Sequence, residues 1–317
     1  MQIPRHVPVM QDEVLRYLGP KPGETFLDGT VGGGGHTAAI LEACGPRGRV
    51  LGLDRDESAL AVVRERMADF ADRVVLVHAN FSQAADVLAR LGWEQVDGIF
   101  LDLGFSSLQV EDAERGFSFS HAGPLDMRMD QDDEWCAADI VNSASEGELR
   151  KIFYDFGEER AAGAMARAVV RVRAQSPLTT TTALAQTLEH VGKRSPQTRI
   201  HPATRAFQAL RIAVNRELEH LSDFLREGYR LLRPGGRLVI LAYHSLEDRL
   251  VKEAFRHWAA TCLCPPLIQR CCCGWNPKVR LLTSKPLFPT DVEVQRNPRA
   301  RSARLRAVER CAEEVRQ

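Results

Sequence analysis

The sequence predicts an α/β protein whose parallel sheet is interrupted by an inserted all-helical segment. Over residues 1–103, short apolar segments alternate with segments whose apolar residues have helical spacing. From residue 111 to residue 204, helical patterns continue without a convincing strand, and the alternation resumes afterwards. Strands that alternate with helices are typical of a parallel sheet covered by helices on both faces.

The elements before the insertion are predicted from apolar runs and from capping residues. Ser82 is a favourable N-cap for the fourth helix. The predicted strands are Thr25–Asp28, Val50–Asp54, Val74–His78 and Val96–Leu103, and the predicted helices are Val9–Leu18, His36–Cys44, Glu57–Met67 and Gln83–Leu91.

The insertion and the segment after it complete the predicted order. Residues 1–110 and 205–317 are expected to form one discontinuous domain, with residues 111–204 as the helical insertion. A helix over Arg205–Leu232 is expected to be broken softly at Gly228, and residues 262–289 have the composition of a loop. The insertion helices are Glu146–Phe156, Glu158–Arg173 and Thr182–Val191, and the later elements are a strand over Arg237–Tyr243 and a helix over Leu246–Ala260.

A glycine-rich turn between the first strand and the first following helix is the strongest functional signal. Gly32–Gly35 places four glycines where a backbone can approach a ligand closely. A helix that begins there directs its unpaired N–H groups at the contents of the turn. Asp54 ends the second strand about 20 residues later, at the spacing expected of an acid that binds ribose hydroxyls. The pattern therefore predicts a nucleoside site.

Three predicted strands end in an acid, at Asp28, Asp54 and Asp102. Ligands of open parallel sheets bind beyond the carboxyl ends of the strands. Three carboxylates along that edge suit a ligand with a cationic or hydroxyl-rich part.

The composition limits the class of protein. Lys+Arg and Asp+Glu both number 42, so a global basic surface for nucleic acid is excluded, although a local patch is not. Seven arginines against three glutamates lie between Arg296 and Arg316, and we expect a solvated face there more readily than an RNA site. Neither a secretory signal nor a membrane span is predicted. We therefore expect a cytoplasmic protein whose eight cysteines are reduced or metal-bound rather than paired in disulfides.

Ten segments resemble the bacterial family of ribosomal RNA small subunit methyltransferase H, the MraW family. They occur in order along nearly the whole chain, and several are long enough to be specific. The segments are His6–Met10, Asp28–His36, Leu51–Asp56, Asp102–Ser107, Ala113–Phe119, Gly123–Asp130, Gly157–Arg160, His201–Arg205, His244–Arg249 and Asn297–Ser302.

The resemblance implies a Rossmann-like methyltransferase that uses S-adenosylmethionine (SAM) to methylate N4 of a decoding-centre cytosine, cytosine 1402, in 16S rRNA. The RNA substrate is expected within the 30S subunit, the insertion is expected to recognise RNA, and a homodimer is one of the oligomeric states left open. Without the resemblance, Phe81 would be a core aromatic and Gln109 a loop residue. By the same resemblance, SAM would be bound by Gly34, Gly35, His36, Asp54, Phe81, Asp102 and Gln109.

The chemistry of an exocyclic amine favours positioning over covalent catalysis. Acceptors that hold its N–H bonds localise the lone pair toward the sulfonium methyl, and the transfer is then an in-line displacement. Asp102 is the candidate acceptor and Phe105 the candidate stacking residue. They lie in an Asp-Leu-Gly-Phe sequence, where familiar amino methyltransferases carry an (Asp/Asn/Ser)-Pro-Pro-aromatic motif. His244 is a third catalytic candidate, although a histidine at a strand end is more often structural.

Aromatic and basic residues after the fourth strand are candidates for RNA contact, since unpaired bases stack on aromatic rings and arginines. Phe117 and Phe119, with Arg115 and Arg128, have this character, although the two rings equally suit packing within the fold.

The cysteine-rich segment combines Cys262, Cys264 and Cys271–Cys273. Its compact spacing is not a usual zinc-finger pattern, so free thiols are expected and a structural zinc is the less favoured alternative. No metal is assigned to the predicted active site.

Two other functions remain open at this stage. A nicotinamide-linked oxidoreductase would require a G-x-G-x-x-G turn, which residues 29–35 fit poorly. A non-catalytic RNA-binding or assembly factor would retain the fold without methyl transfer.

Overall fold

The computed structural model describes residues 8–189, 191, 201–265 and 270–312. It divides into two compact units, one formed by Met1–Gly104 with Leu218–Gln317 and the other by Phe105–Glu217. The second unit begins before residue 111 and continues beyond residue 204, the two limits expected for the insertion. Residues 6 and 7 of the His6–Met10 segment and residues 313–316 of the arginine-rich tail lie outside the described residues.

The first unit contains the sheet. Elements are numbered in chain order through both units. Its strands are β1 (Thr25–Asp28), β2 (Arg49–Asp54), β3 (Val74–His78), β4 (Val96–Asp102), β5 (Leu232–Ala242), β6 (Val279–Leu281) and β7 (Arg304–Arg310). Its helices are α1 (Gln11–Leu18), α2 (Gly35–Ala43), α3 (Glu57–Arg66), α4 (Ala84–Arg90), α11 (Glu217–Glu227, whose first residue belongs to the second unit), α12 (Ser245–Trp258) and α13 (Asp291–Arg296).

In the described part of the chain, seven strands form one sheet in the order β3-β2-β1-β4-β5-β7-β6. The first five are parallel, whereas β7 runs antiparallel to both β5 and β6. A largely parallel sheet whose strands alternate with helices, together with a separate helical unit, confirms the predicted α/β class with a helical insertion. The order reverses between β1 and β4, where an open α/β sheet binds its ligands.

Two apolar layers cover the faces of the sheet. One packs β-strand residues such as Leu101 against α4, α11 and α12. The other packs residues such as Phe100 against α1, α2 and α3. Because consecutive residues of β4 point to opposite faces and both are fully buried, the strand reads as a continuous apolar run rather than an alternating one.

The edge of the sheet differs from the prediction in two places. The segment 262–289, expected to be a loop, contains the short strand β6, and part of the arginine-rich tail forms β7. The tail is therefore not a solvated face over residues 304–310. Arg306 is buried and pairs with both carboxylate oxygens of Asp248, at 2.6 and 3.1 Å. A strand that carries paired arginines lacks the apolar continuity by which the inner strands were predicted.

The second unit is helical, and its only described β contact is an isolated bridge between Pro124 and Thr180. Its core is a cluster of buried apolar side chains that includes Phe153 and Leu210. Its helices are α5 (Ser107–Glu111), α6 (Ala137–Ser143), α7 (Glu146–Asp155), α8 (Ala162–Arg173), α9 (Thr181–Glu189) and α10 (Ala203–Asn215).

The long helix predicted over Arg205–Leu232 is interrupted at Arg216, not only near Gly228. Arg216 has a φ of 49°, a left-handed conformation that ends α10. The preceding Asn215 is fully buried. Its side chain accepts the N–H of Met129 at 2.8 Å and donates to the carbonyl of Met127 at 2.7 Å. These long-range hydrogen bonds fix the chain at the interruption, which no local signal indicates.

The N-cap predicted at Ser82 is also displaced. A 3₁₀ turn over Phe81–Gln83 precedes α4, and Asn80 caps this turn by accepting the N–H of Ser82 at 2.9 Å. No helix among the described residues combines the length and the apolarity that crossing a bilayer requires.

Candidate SAM site and methyl-transfer residues

Hydrogen bonds to carboxylate groups fix the conformation of the turn that follows β1. Asp28 is fully buried, and its Oδ2 accepts the hydroxyl of Thr37 at 2.6 Å while its Oδ1 accepts the N–H of Thr30 at 3.1 Å. Burial raises the pKa of Asp28 to about 6 against these two hydrogen bonds. Asp28 thus joins the end of β1 to the first turn of α2 and shapes the space above it.

Two positions in the turn leave too little room for a Cβ atom, and Gly32, with a φ of 50°, favours glycine through its backbone conformation. Gly34 has a φ of 80°, and a Cβ added there would lie 2.9 Å from Met67 Cε. A Cβ on Gly35 would lie 2.6 Å from Pro8 Cγ. At Gly33, by contrast, the nearest atom to an added Cβ is Arg66 Nη1, at 3.7 Å. An added Cβ is therefore obstructed at both predicted cofactor residues, Gly34 and Gly35.

Asp54 connects the end of β2 to the same turn. Its Oδ2 accepts the N–H of Gly32 at 2.7 Å, and its Oδ1 accepts the N–H of Asp56 at 2.9 Å. Each oxygen of a carboxylate has two lone pairs, so each can accept one more donor. Burial raises the pKa of Asp54 to about 6. This geometry suits a pair of vicinal ribose hydroxyls, which supply two donors side by side.

Asp102 lies at the end of β4 among groups from three other elements. Its N–H donates to Thr30 Oγ1 at 2.6 Å, and its Oδ1 accepts the hydroxyl of Tyr243 at 2.7 Å. Its Oδ2 lies 3.8 Å from His36 Nε2. Burial raises the pKa of Asp102 from its ordinary value of 3.8 to about 7, and the hydrogen bond from Tyr243 opposes this rise.

His36 and Phe81 occupy the two apolar sides of this region. The ring of His36, on the first turn of α2, lies 4.5 Å from the ring of Phe100 between centroids. Phe81 is half-buried, packs edge-on against Phe224 at 5.9 Å, and lies next to Gly29. An added Cβ at Gly29 would come within 2.9 Å of Phe81 Cβ. Phe81 is thus a partly accessible core aromatic, which is compatible with both predicted roles.

His244 caps α12 through its side chain. Its Nδ1 accepts the N–H of Glu247 at 3.3 Å, and its Nε2 lies 3.2 Å from Glu247 Oε1. Glu247 Oε2 in turn accepts the N–H of Tyr243 at 2.8 Å. An Nδ1 that accepts a hydrogen bond leaves the proton on Nε2, beside the carboxylate. Nε2 lies near this carboxylate but is buried and makes no hydrogen bond within the described part of the chain, so the structural role of the side chain rests on the cap at Nδ1.

The remaining predicted residues lie in the helical unit. Gln109 is buried at the start of α5, and its side chain completes a capping box by accepting the N–H of Ser106 at 2.9 Å. Phe105 is 44% exposed and stacks on Phe117, with 6.0 Å between centroids. Arg211 Cζ lies 4.7 Å from the centroid of the Phe105 ring.

Arg211, whose guanidinium group lies over the ring of Phe105, is itself held in a fixed position. It is buried and forms a two-pronged ion pair with Glu217, at 2.8 and 3.0 Å. Arg115 lies 5.9 Å from the ring of Phe117 and donates to two backbone carbonyls, those of Arg128 and Met129. The result is a partly exposed aromatic pair bordered by two guanidinium groups whose positions are fixed.

The other two residues expected near RNA are part of the packing of the helical unit. Phe119 lies 4.8 Å from both His201 and Phe207. Arg128 pairs with Asp126 at 2.8 Å. The surroundings of Phe119 therefore agree with packing within the fold, which was the alternative to RNA contact.

Sequence reasoning missed three groups that organise the site. Thr30 lies inside the glycine-rich segment, where its hydroxyl was not considered. Tyr243 precedes the motif at His244, and a signal was present because it directly follows the end of β5, the strand next to β4. Arg211 has no local signal, since its partners Phe105 and Glu217 become neighbours only in the fold.

Comparison with known proteins supplies the family. The profile of the MraW methylase family matches residues 4–311. A protein of Syntrophotalea carbinolica is 52% identical over 308 residues, which cover 96% of this chain and 98% of that relative. One from Thermomicrobium roseum is 51% identical over 311 residues, with 98% and 95% covered. Both carry the name ribosomal RNA small subunit methyltransferase H.

Solved structures are less similar. A SAM-dependent O-methyltransferase of Thermotoga maritima matches with a TM-score of 0.43 and 11% identity, over 99% of this chain and 70% of that one. A likeness at this level supports no argument about function.

Proposed function

The chain belongs to the MraW methylase family, and from that premise we propose that it transfers a methyl group from SAM to N4 of cytosine 1402 in 16S rRNA. The predicted family is confirmed, and SAM is the methyl donor. Methylation of small-subunit ribosomal RNA agrees with the name that the relatives carry. We propose three further details: the methylated atom is N4, the nucleotide is cytosine 1402, and the substrate is an assembled 30S subunit.

The main support for this proposed reaction is the surroundings of Asp102. A carboxylate whose pKa lies near neutrality stands at the end of β4 and is held at both ends, by Thr30 at its N–H and by Tyr243 at its side chain. Phe105, three residues further along the chain, is a large exposed aromatic side chain. The chain thus supplies an acceptor for an amine and a stacking surface for a base in one short segment.

SAM would be held by the residues of the first unit. Asp54 would accept the ribose hydroxyls, the start of α2 at Gly35 and His36 would face the amino-acid part, and Phe81 would lie beside adenine. Gln109 remains a proposed cofactor residue, although its side chain already caps α5. SAM supplies an electrophilic methyl group on a sulfonium cation, which the strand-end carboxylates attract.

The reaction we propose needs no covalent intermediate on the protein. Asp102 would accept an N–H of the cytosine amine and direct its lone pair at the methyl carbon. The nitrogen–carbon bond forms as the sulfur–carbon bond breaks, and the sulfur leaves with the bonding electron pair as a neutral thioether. The methylated nitrogen then gives up one proton to the Asp102 carboxylate that holds its N–H, and from there the proton passes to water. His244 would act as a positioning residue that fixes the start of α12 beside Tyr243.

The RNA is proposed to reach the site as an unpaired strand. A base must leave its stack before its edge can be methylated, and aromatic side chains then replace the lost stacking. Phe105 and Phe117 with the flanking guanidinium groups of Arg211 and Arg115 would supply that surface. We place the protein in the cytoplasm because the proposed substrate is there.

Methyl transfer to defined ribosomal particles tests the proposal. The 30S subunits of a strain that lacks the modification would be incubated with the protein and isotope-labelled SAM. The expected product is one label per 16S rRNA, at nucleotide 1402, with N4-methylcytidine as the labelled nucleoside after digestion. Label at another nucleotide or on a ring carbon would contradict the assignment. SAM binding without transfer to any RNA would favour the non-catalytic alternative.

A further inference from the structure

A cluster of four cysteines lies in the connection between α12 and β6. Cys262, Cys264, Cys271 and Cys273 place their sulfurs within 4.8 Å of one another. We propose that these four thiolates bind one zinc ion, which fixes the connection. The proposal reverses the preference for free thiols drawn from the spacing alone, and it is independent of the methyl transfer proposed above.

The distances between the sulfurs match the edges of a tetrahedron. Zinc binds thiolate sulfur at about 2.3 Å, so a regular tetrahedral site has sulfur–sulfur edges of about 3.8 Å. Cys271 Sγ lies 3.4 Å from Cys262 Sγ, 3.6 Å from Cys273 Sγ and 4.0 Å from Cys264 Sγ. Cys262 and Cys273 are 3.8 Å apart. The volume between the four sulfurs is that of a single ion.

A disulfide does not account for this arrangement. A disulfide bond holds two sulfurs at about 2.0 Å, whereas Cys262 and Cys271 are 3.4 Å apart. All four cysteines are free thiols. Disulfides would also join the sulfurs in pairs, and here one sulfur, that of Cys271, has three sulfur neighbours within 4.0 Å.

Backbone donors point at the sulfurs. The N–H of Cys264 lies 3.3 Å from Cys262 Sγ, that of Leu263 lies 3.4 Å from Cys273 Sγ, and that of Cys272 lies 3.3 Å from Cys264 Sγ. Hydrogen bonds to a sulfur favour its thiolate form, which is the form that binds metal. Three of the four ligands therefore accept at least one backbone donor from within the loop.

Within the described part of the loop, little else could hold it together. The described residues from 261 to 274 are almost all exposed. Its ends are nevertheless tied to the sheet domain. Trp275 Nε1 donates to the carbonyl of Ala260 at 3.0 Å, and the N–H of Lys278 donates to the carbonyl of Trp258 at 2.7 Å. Small segments that cannot build an apolar core commonly depend on a metal or on disulfides.

The ligand chemistry selects zinc. Four soft thiolates in tetrahedral arrangement suit zinc or iron, and a cluster of several irons would need sulfurs spread more widely. Cys272 provides an internal control. Its sulfur lies 3.9 Å from Cys264 Sγ, yet it does not belong to the set in which all sulfurs approach one another.

Metal analysis of variants tests the site. The full-length protein, without a histidine tag, would be produced in zinc-supplemented medium, purified under reducing conditions and analysed by mass spectrometry for metals. We expect about one zinc per chain in the wild type and in Cys272→Ser. Cys271→Ser and the variant with all four ligands changed to serine should lose most or all of it. Circular dichroism and SAM binding would establish that each variant is folded.

Thiol labelling gives a second readout. In the zinc-loaded protein an alkylating reagent should modify Cys272 rapidly and the four ligands slowly, and a chelator should equalise the rates. Reconstitution with cobalt should give the intense visible absorption of tetrahedral cobalt thiolate. Absence of metal from the wild type, iron in place of zinc, or equal zinc in the four-serine variant would each overturn the proposal.

Discussion

The hydroxyl of Tyr243 donates a hydrogen bond of 2.7 Å to Oδ1 of Asp102, across the ends of two neighbouring strands. This bond favours the ionised form of a carboxyl group whose pKa burial has raised to about 7. It also leaves Oδ2 on the side of His36. One tyrosine therefore controls both the charge and the orientation of the proposed amine acceptor.

Tyr243→Phe should slow methyl transfer by about tenfold or more, because a hydrogen bond to a charged group contributes about 1.5–3 kcal/mol. The midpoint of the pH–rate profile should also move to higher pH, since the bond lowers the pKa of Asp102. Single-turnover rates on 30S subunits between pH 6 and pH 9 measure both effects. A slower rate with an unchanged midpoint would show that Tyr243 does not act through Asp102.

The affinity for SAM should rise as the pH increases through about 7. Because the pKa of Asp102 is raised to about 7, the folded protein without ligand keeps a proton, between about pH 4 and pH 7, that the unfolded chain has lost. Asp102 therefore lowers the free energy of unfolding as the pH rises through this range. Binding of a sulfonium cation favours the carboxylate and reverses this effect. Calorimetric titration at several pH values measures the affinity. S-adenosylhomocysteine, whose sulfur is neutral, should show a weaker dependence. Asp102→Asn should remove the part centred near pH 7 for both ligands, whereas Asp28 and Asp54, whose pKa values are about 6, still titrate at lower pH.

Alanine substitutions at two adjacent positions of the glycine-rich turn should have very different effects on SAM binding. Gly34→Ala forces an alanine into a left-handed conformation, at a cost of about 1–2 kcal/mol, and brings its Cβ against Met67. We expect SAM binding to weaken about tenfold or more. Gly33→Ala is the matched control, because its Cβ has room and its φ is not in the left-handed region. Equal losses in the two variants would contradict a steric role for Gly34.

Phe105→Ala should impair transfer to RNA while leaving SAM affinity unchanged. Stacking of a base on an aromatic side chain contributes about 1–3 kcal/mol, which predicts a loss of about 5- to 150-fold in kcat/KM for 30S subunits. Phe105→Trp should retain most activity. Phe288→Ala, at another exposed phenylalanine, serves as the control and should behave as wild type. An undiminished rate in Phe105→Ala would remove this side chain from substrate recognition.

Two variants at His244 separate structure from proton transfer. His244→Ala removes the N-cap of α12 and should lower the free energy of unfolding by about 1 kcal/mol. His244→Asn supplies another favoured capping side chain and should restore both stability and methyl transfer. Thermal unfolding and initial rates measure the two properties. Full stability with lost activity in His244→Asn would instead indicate a catalytic imidazole.

The inner part of the fold was predictable because its signals are local. The four strands before the insertion are short apolar runs, three of which end at an acid, and the glycines between Asp28 and His36 can be read directly from the sequence. Antiparallel β7 was missed because Arg304 and Arg306 interrupt its apolar residues, and their partner Asp248 lies 56 and 58 residues away along the chain. Likewise, the convergence of the four cysteines depends on the path of the loop, which spacing alone does not specify.

The strand that is made last occupies an inner position in the sheet. β7 pairs with β5 on one side and with β6 on the other, so until Arg304–Arg310 leave the ribosome both of these strands present an unpaired edge. Completion of the sheet must therefore wait until Arg310 has been translated. A premature stop shortly before Arg304 would leave two open edges, and unpaired edges are templates for aggregation.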